Sequence, residues 1–286
     1  MSGFSPEWLT LREPFDAAAR PAALVAELRA HLPRNKPLDV VDLGAGAGSN
    51  LRYLAPLIGG EQRWLLADHD PKLLDAALAA THDWAKARGG DAARTRFALA
   101  IRGAGFAGGV RCRLVDLADL SALELPKGGL VTAAALLDLV SRGWLETLAE
   151  RCRAARAAVA LALTYDGRTS IKPAEPDDAA VLALFNRHQL FDKGFGPALG
   201  MRAAGIAEDA FEAHGYELRV ATSDWLLDSG ARALQLALLD GWHGAALEVA
   251  PDSRLALGSW LERRRAHVLS GSSEIRVGHV DVVGWL

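Results

Sequence analysis

Val40-Val41-Asp42-Leu43-Gly44-Ala45-Gly46-Ala47-Gly48-Ser49-Asn50 is the stretch whose reading decides the fold. An apolar run ends in glycines at alternate positions and opens into Leu51-Arg52-Tyr53-Leu54, which predicts a strand, a tight loop and a helix. Alternate glycines let the backbone take positive φ and approach a ligand with no Cβ in between. The spacing is G-x-G-x-G, with Ser49 where a dinucleotide-binding G-x-G-x-x-G places its last glycine, and with an acid, Asp42, two residues before the first glycine. Those departures point away from NAD. Taken alone, the stretch fits an ordinary glycine-rich turn of an α/β domain equally well.

Ahead of it, residues 7–32 carry Phe15, Ala18, Ala22, Leu24, Val25 and Leu28 at roughly helical spacing and end at Pro33, so residues 1–37 read as a helical leader. Arg12, Glu13, Asp16 and Arg20 form a charged group in it. A solvated helix face is the favoured reading, and contact with a ligand is the alternative.

Beyond it, Arg63-Trp64-Leu65-Leu66-Ala67-Asp68-His69-Asp70-Pro71 reads as a second strand ending in acids, with Pro71 starting a helix to about residue 88. Asp68 lies 24 residues past Gly44, at the end of a second parallel strand. There a carboxylate accepts both hydroxyl protons of an adenosine ribose. Asp70, immediately before Pro71, is the better helix cap. Residues 97–101 and 110–115 are β-like runs separated by glycines. The second reads as the third parallel strand and the first as an added hairpin strand or a strained helix end. Asp116-Leu117 follows, where an acid can accept from an adenine amino group or sit in a surface turn. A fourth strand over 130–137 leads into Asp138-Leu139-Val140-Ser141 and a helix over 142–153, and a fifth covers 157–165. This alternation predicts an α/β fold, a doubly wound, mostly parallel sheet with right-handed crossovers. Ligands of such sheets lie beyond the carboxyl ends of the strands, where Asp42, Asp68, Asp116, Asp138 and Asp166 all fall.

Over residues 38–165 this pattern resembles the class I S-adenosylmethionine-dependent methyltransferases. Asp42 to Gly48 is similar to their first motif, Asp68 to their strand-two acid, Asp116-Leu117 to their adenine-site motif, and residues 132–141 to their strand-four motif. The resemblance implies a Rossmann-like, seven-stranded sheet with an antiparallel last strand, which residues 275–283 would supply. It also implies S-adenosylmethionine as the cofactor, held by Asp42, Gly44, Ala45, Gly46, Asn50, Asp68, His69, Asp116 and Leu117. Gly44 and Gly46 would line the methionine part, Asp42 would sit near its positive amino group, and His69 would flank the ribose.

Residues 166–197 and 226–271 read as two insertions of a single domain spanning 38–286, together forming a substrate lid. The first is locally basic through Arg168, Lys172, Arg187, His188 and Lys193, which suits either an anionic substrate or a solvated surface. Trp225, Trp242 and Trp260 pack a core or line an apolar pocket. Methyl transfer to an alcohol, phenol or protonated amine needs a base. Asp138 at a strand end is the first candidate and His188 the second, with Tyr165 and His69 behind them.

The totals set bounds. Half of the 286 residues are hydrophobic, so a substantial core is available. No apolar run approaches the roughly 20 residues of a membrane span, and the first residues lack the basic and apolar regions of a signal peptide, so the expectation is a cytoplasmic protein without a membrane partner. Cys112 and Cys152 lack metal-ligand spacing and read as reduced thiols, with no metal expected. The net charge is −3, and the one basic cluster, Arg263-Arg264-Arg265, reads as a solvated helix face, so no nucleic-acid partner is expected. The function expected is methylation of an oxygen or nitrogen of a small-molecule metabolite, anionic ones included. The alternatives are a non-catalytic cofactor-binding or regulatory protein, a nucleic-acid methyltransferase, and an NAD-dependent dehydrogenase.

Overall fold

The structure is a computed structural model and describes residues 5–286. The opening stretch folds as expected: β1 (Leu38–Leu43), a turn, and α3 (Ser49–Ile58). The leader is two helices, α1 (Pro6–Ala19) and α2 (Ala22–His31), because Arg20 and Pro21 between them are extended. The first of its residues lie outside the described part.

After α3 come β2 (Glu61–Asp68), α4 (Pro71–Ala87), β3 (Asp91–Arg94), β4 (Ala98–Gly103), β5 (Phe106–Leu114), β6 (Leu130–Ala134), α5 (Arg142–Ala155) and β7 (Ala158–Lys172). Then follow α6 (Asp178–His188), α7 (Ala203–Ala213), β8 (Glu217–Thr222), β9 (Trp225–Leu227), α8 (Arg232–Val249), α9 (Arg254–Ser270) and β10 (Glu274–Trp285). The sheet runs β3-β4-β5-β2-β1-β6-β7-β10-β8, with β9 also on β10. From β5 to β7 all neighbours are parallel, and β10 inserts antiparallel between β7 and β8.

The expected seven strands are therefore there, but among the described residues the sheet has ten. The additions have local causes. Gly103 takes φ +86° and Gly105 φ +97°, which close the β4-β5 hairpin and carry β3 along at the edge. Fifth-strand residues past Tyr165, expected to open the first insertion, instead extend β7 to Lys172 and pair with Glu274 to Val277 of β10. Gly278 permits this: a Cβ there would stand 2.3 Å from Asp166 Oδ1.

Apolar residues fill both faces of the sheet, with Leu145, Leu148, Ala207 and Phe211 on one side and Leu28, Leu51, Leu54 and Leu78 on the other. A third core joins Tyr165, Trp225, Trp242, Trp260 and Leu234, which α6, α8 and α9 enclose with the apolar side of α1. The tryptophans are core, each no more than 3% exposed. No helix among the described residues is long and apolar enough to cross a membrane.

Candidate cofactor and acceptor site

At the carboxyl ends of β1 and β2 the chain turns on three glycines. Gly44, Gly46 and Gly48 all have positive φ (+64°, +51° and +78°), and a Cβ on Gly44 would press against Leu136 at 3.3 Å. Gly44 N–H and Ala45 N–H both donate to Ala67 O, which fastens the turn to β2. Gly46 N–H donates to Asp68 Oδ2 at 2.8 Å, and Asp70 N–H donates to Asp68 Oδ1 at 3.0 Å. Asp68 is 4% exposed, and each of its oxygens keeps a further lone pair. His69 beside it is exposed, its Nδ1 3.4 Å from Asp68. Asp70 caps α4 by accepting from Lys72 N–H.

Asp42 is fully buried at the root of the turn. Its Oδ1 accepts from Asn50 Nδ2 at 2.7 Å, whereas its Oδ2 has no partner among the described residues. Burial pushes its carboxyl up to about 7, against the pull of Asn50 and of the Arg20 charge. Asn50 is committed to the protein: it also donates to Thr132 Oγ1 at 3.0 Å and accepts from Arg20 at 2.8 Å. It stands behind the turn rather than in front of it.

The charged group of α1 does not face solvent, contrary to the favoured sequence reading. Glu13 receives two bonds from Arg52, whose remaining nitrogen holds Ala47 O of the turn at 2.8 Å and Thr81. Asp16, also buried, takes both Arg12 and Trp225 Nε1. Leu9 lies on the turn, since a Cβ on Gly46 would come within 3.1 Å of it. Alternating side chains of one helix thus reach the glycine turn and the third core. Their helical spacing was visible, but their partners lie elsewhere in the chain.

Past β5, Asp116 is exposed and accepts from Ala118 N–H in a turn, while Leu117 is buried with its carbonyl taking Trp144 Nε1 at 2.6 Å. A concavity of about 560 Å³ opens beside them, between residues 118–121, the start of α5, and Gly194 and Phe195. Another, of about 1150 Å³, has Asp39, Arg63 and Gly109 in its walls and so lies toward the amino ends of the strands, away from this chemistry.

Past β6, Ala135 adopts φ +52° and delivers Asp138 into a buried position. Burial raises the Asp138 carboxyl to about 6, opposed by its own backbone N–H and by the charges of Arg12 and Lys193. Burial raises the Tyr165 phenol, with smaller contributions from the Asp166 and Asp138 carboxylates, and its OH donates to Asn186 on α6 at 2.7 Å. His279, opposite Tyr165 in the β7-β10 ladder, is buried with Nδ1 unpartnered, and burial drives it down to about 3, a neutral ring. Sequence reading missed His279, because nothing local marks a histidine in an apolar strand as facing a site.

His188 is not brought to Asp138 directly. Its Nε2 pairs with Glu248 at 2.9 Å and its Nδ1 with Lys193 at 3.4 Å, both in the helical cap. The basic character of residues 168–193 is largely neutralised. Arg168 binds Asp166 and Asp224, and Lys172 binds Glu274. The arginine trio is paired too, with Arg263 and Arg265 on the solvated face that was expected and only Arg264 departing from it. Arg263 binds Glu175 and Asp177, Arg265 binds Asp240, and fully buried Arg264 binds Asp178.

No family model matches this sequence, and no curated protein matches it. Among solved structures, a cyclopropane-fatty-acyl-phospholipid synthase-like protein from Lactobacillus casei superposes with a TM-score of 0.56 at 13% identity, over 99% of this chain and 95% of that one. A cyclopropane synthase from Mycobacterium tuberculosis gives 0.48 at 12% identity, over 98% and 94%. The first likeness shows the fold alone, a Rossmann-like, mostly parallel sheet with helices on both faces.

Proposed function

We propose that this protein is an enzyme that transfers a methyl group from S-adenosylmethionine to an oxygen or nitrogen of a small molecule. One observation carries the reading: the glycine turn after β1 and the acid ending β2 meet at 2.8 Å, Gly46 N–H on Asp68 Oδ2, at the carboxyl ends of a sheet of this fold. The residues fit the cofactor. Asp42 Oδ2 is a buried acceptor lacking a partner, suited to an ammonium group, and the positive-φ glycines leave a wall without side chains. When bound, S-adenosylmethionine supplies a methyl on a positively charged sulfur, open to displacement in line.

Gly44, Ala45 and Gly46 would face the methionine part of the ligand. Asp68 would use its remaining lone pairs on the ribose hydroxyls, with His69 at the rim, and Asp116 and Leu117 would border the adenine. Asn50 would act behind Asp42 rather than on the ligand. Asp138 would receive the acceptor's proton, a reading supported by its carboxyl being raised to about 6 by burial. His188 would act through Lys193, by closing the cap at residues 173–197 over the substrate. The pairing of the arginine trio with acids favours a small molecule over nucleic acid.

Incubation with methyl-labelled S-adenosylmethionine and a metabolite extract, followed by mass spectrometry, tests the reading. A labelled small molecule is the expected product. Cofactor binding with no labelled product would turn the reading toward a regulatory protein, and tight NAD binding without S-adenosylhomocysteine binding would overturn it.

A further inference from the structure

Arg20 is an arginine with no solvent-facing role. It follows the last residue of α1, is 8% exposed, and lies with its guanidinium 4.1 Å from the centre of the Tyr53 ring. Its NH1 donates to Asn50 Oδ1 at 2.8 Å and its Nε reaches Asp281 Oδ2 at 3.3 Å. Tyr53 OH closes the arrangement by donating to the Arg20 carbonyl. Asp281 is itself fixed by Leu163 N–H at 2.8 Å and Ser223 Oγ at 2.5 Å. With Asn50 on Asp42 Oδ1, one continuous polar chain runs from β10 through the end of α1 to the root of the glycine turn.

The direction of Asn50 in this chain follows from its chemistry. An arginine only donates, so the Asn50 atom facing Arg20 is its oxygen, and the amide nitrogen must then face Asp42 and Thr132. Thr132 is consistent, because its hydroxyl proton goes to Ala160 O at 2.7 Å and leaves a lone pair for Asn50. Asp42 is thereby held by a donor on one oxygen, and its other oxygen is left bare. The charged groups facing it are few: Arg20 from the end of α1, Asp68 from β2, and, beyond Arg20, Asp281 from β10. Asn50 of α3 and Thr132 of β6 complete its surroundings without charge.

We propose that Arg20 is a positioning residue of the cofactor site: through Asn50 it orients Asp42 with one free oxygen, and it supplies the positive charge that keeps that acid ionised for a ligand ammonium. This rests on the reading of Asp42 as the acceptor for the amino group of S-adenosylmethionine. Asp281 sets how much of the Arg20 charge reaches Asp42. Asp42 lies near its titration point at neutral pH, so a change in the facing charge is read directly as a change in the pH at which the site accepts a cation.

Titration calorimetry with S-adenosylhomocysteine between pH 5.5 and 8.5 tests this on the full chain, with folding checked by circular dichroism. The ligand's own groups titrate alike for every variant and cancel in the comparison. Affinity of the wild-type protein should rise as pH passes through about 7. Arg20→Met should move that midpoint up by at least about one unit, which lowers affinity about tenfold at pH below both midpoints. Arg20→Lys should bring it back toward the wild type, and Asp281→Asn, equal in shape, should move it down. Shifts of opposite sign separate an electrostatic role from simple loosening of the fold, which would weaken binding at every pH. Should Arg20→Met fail to fold, the Asp281→Asn shift decides alone. Folded variants with the wild-type midpoint would overturn the proposal and leave the cofactor reading standing, whereas wild-type protein that binds no S-adenosylhomocysteine would remove that reading first.

Discussion

The glycine turn and the helical cap are built on opposite plans. The turn is held by backbone donors and by residues close in sequence: Gly46 to Asp68, Gly44 and Ala45 to Ala67, Asn50 to Asp42. The cap is held by side chains about 90 positions apart, with Arg264 and Trp260 on Asp178, and Arg263 and His267 on Glu175. Conformational constraint belongs to the first and buried charge pairing to the second. A buried ion pair costs desolvation and returns it only with good geometry, so its gain is mainly in specifying one arrangement of helices. The α1 helix joins the two plans, with Glu13 and Leu9 toward the turn and Asp16 toward Trp225 of the cap.

The comparison can be broken most severely at Arg264. Arg264→Ala takes from Asp178 its charged partner, leaving it only Trp260 Nε1 and Glu175 N–H, and leaves Pro173 O without that donor, and should cost about 3–5 kcal/mol, seen as a lowered urea midpoint with the loss concentrated in α6, α8 and α9 by hydrogen exchange. Protection of β1 and β2 falling equally would mean that turn and cap are one cooperative unit.

Asp138→Asn comes next, with the opposite sign. A carboxyl raised in the folded state binds more protons folded than unfolded, so its contribution to stability is lost as pH rises from the unfolded value near 4 through about 6. Asn removes that loss. The variant should match the wild type below pH 4 and exceed it at pH 8 by up to about 3 kcal/mol, while its pH-dependent rise in methyl transfer through pH 6 disappears. Equal stability at both pH values would place Asp138 in contact with water.

Asp68→Ala sharpens the turn side: cofactor affinity should fall by about 1–3 kcal/mol, measured by calorimetry, with hydrogen-exchange protection of the cap unchanged. Unaltered affinity would remove Asp68 from the ribose. The smallest effect is expected one residue from the largest. Arg263 is 40% exposed in its pair with Glu175, so Arg263→Ala should change unfolding free energy by less than about 1 kcal/mol. A loss matching that of Arg264 would show that the whole arginine run, and not burial, secures the cap.

The legible parts of the fold share one property. β1, the turn, β2, α4 and β6 are written in alternating apolar residues, glycines, and a proline after a capping acid, all acting within a few residues. The extension of β7 was not legible, because Asp166-Gly167-Arg168 has turn composition, and only the opposing Gly278 and the Asp224 partner on Arg168 make it a strand. The same holds within the site. Asp68 and Asp138 stand out in the sequence by their places at strand ends, whereas the burial of His279 and of Arg20 depends on pairings more than 100 residues away along the chain.

By itself, the sequence determined that the chain would build a parallel sheet with a glycine turn and acids at its carboxyl ends, because backbone freedom and local periodicity need no partner to act. Tertiary structure alone decided which charges are buried and whom they face. Arg12, Glu13, Asp16 and Arg20, and Arg264, have the spacing of solvated helix faces; they are structural ties because partners brought to them by the fold meet them where little water reaches, whereas Arg263 and Arg265 pair at the surface. Charge is a property of a residue, but its solvation is a property of the fold.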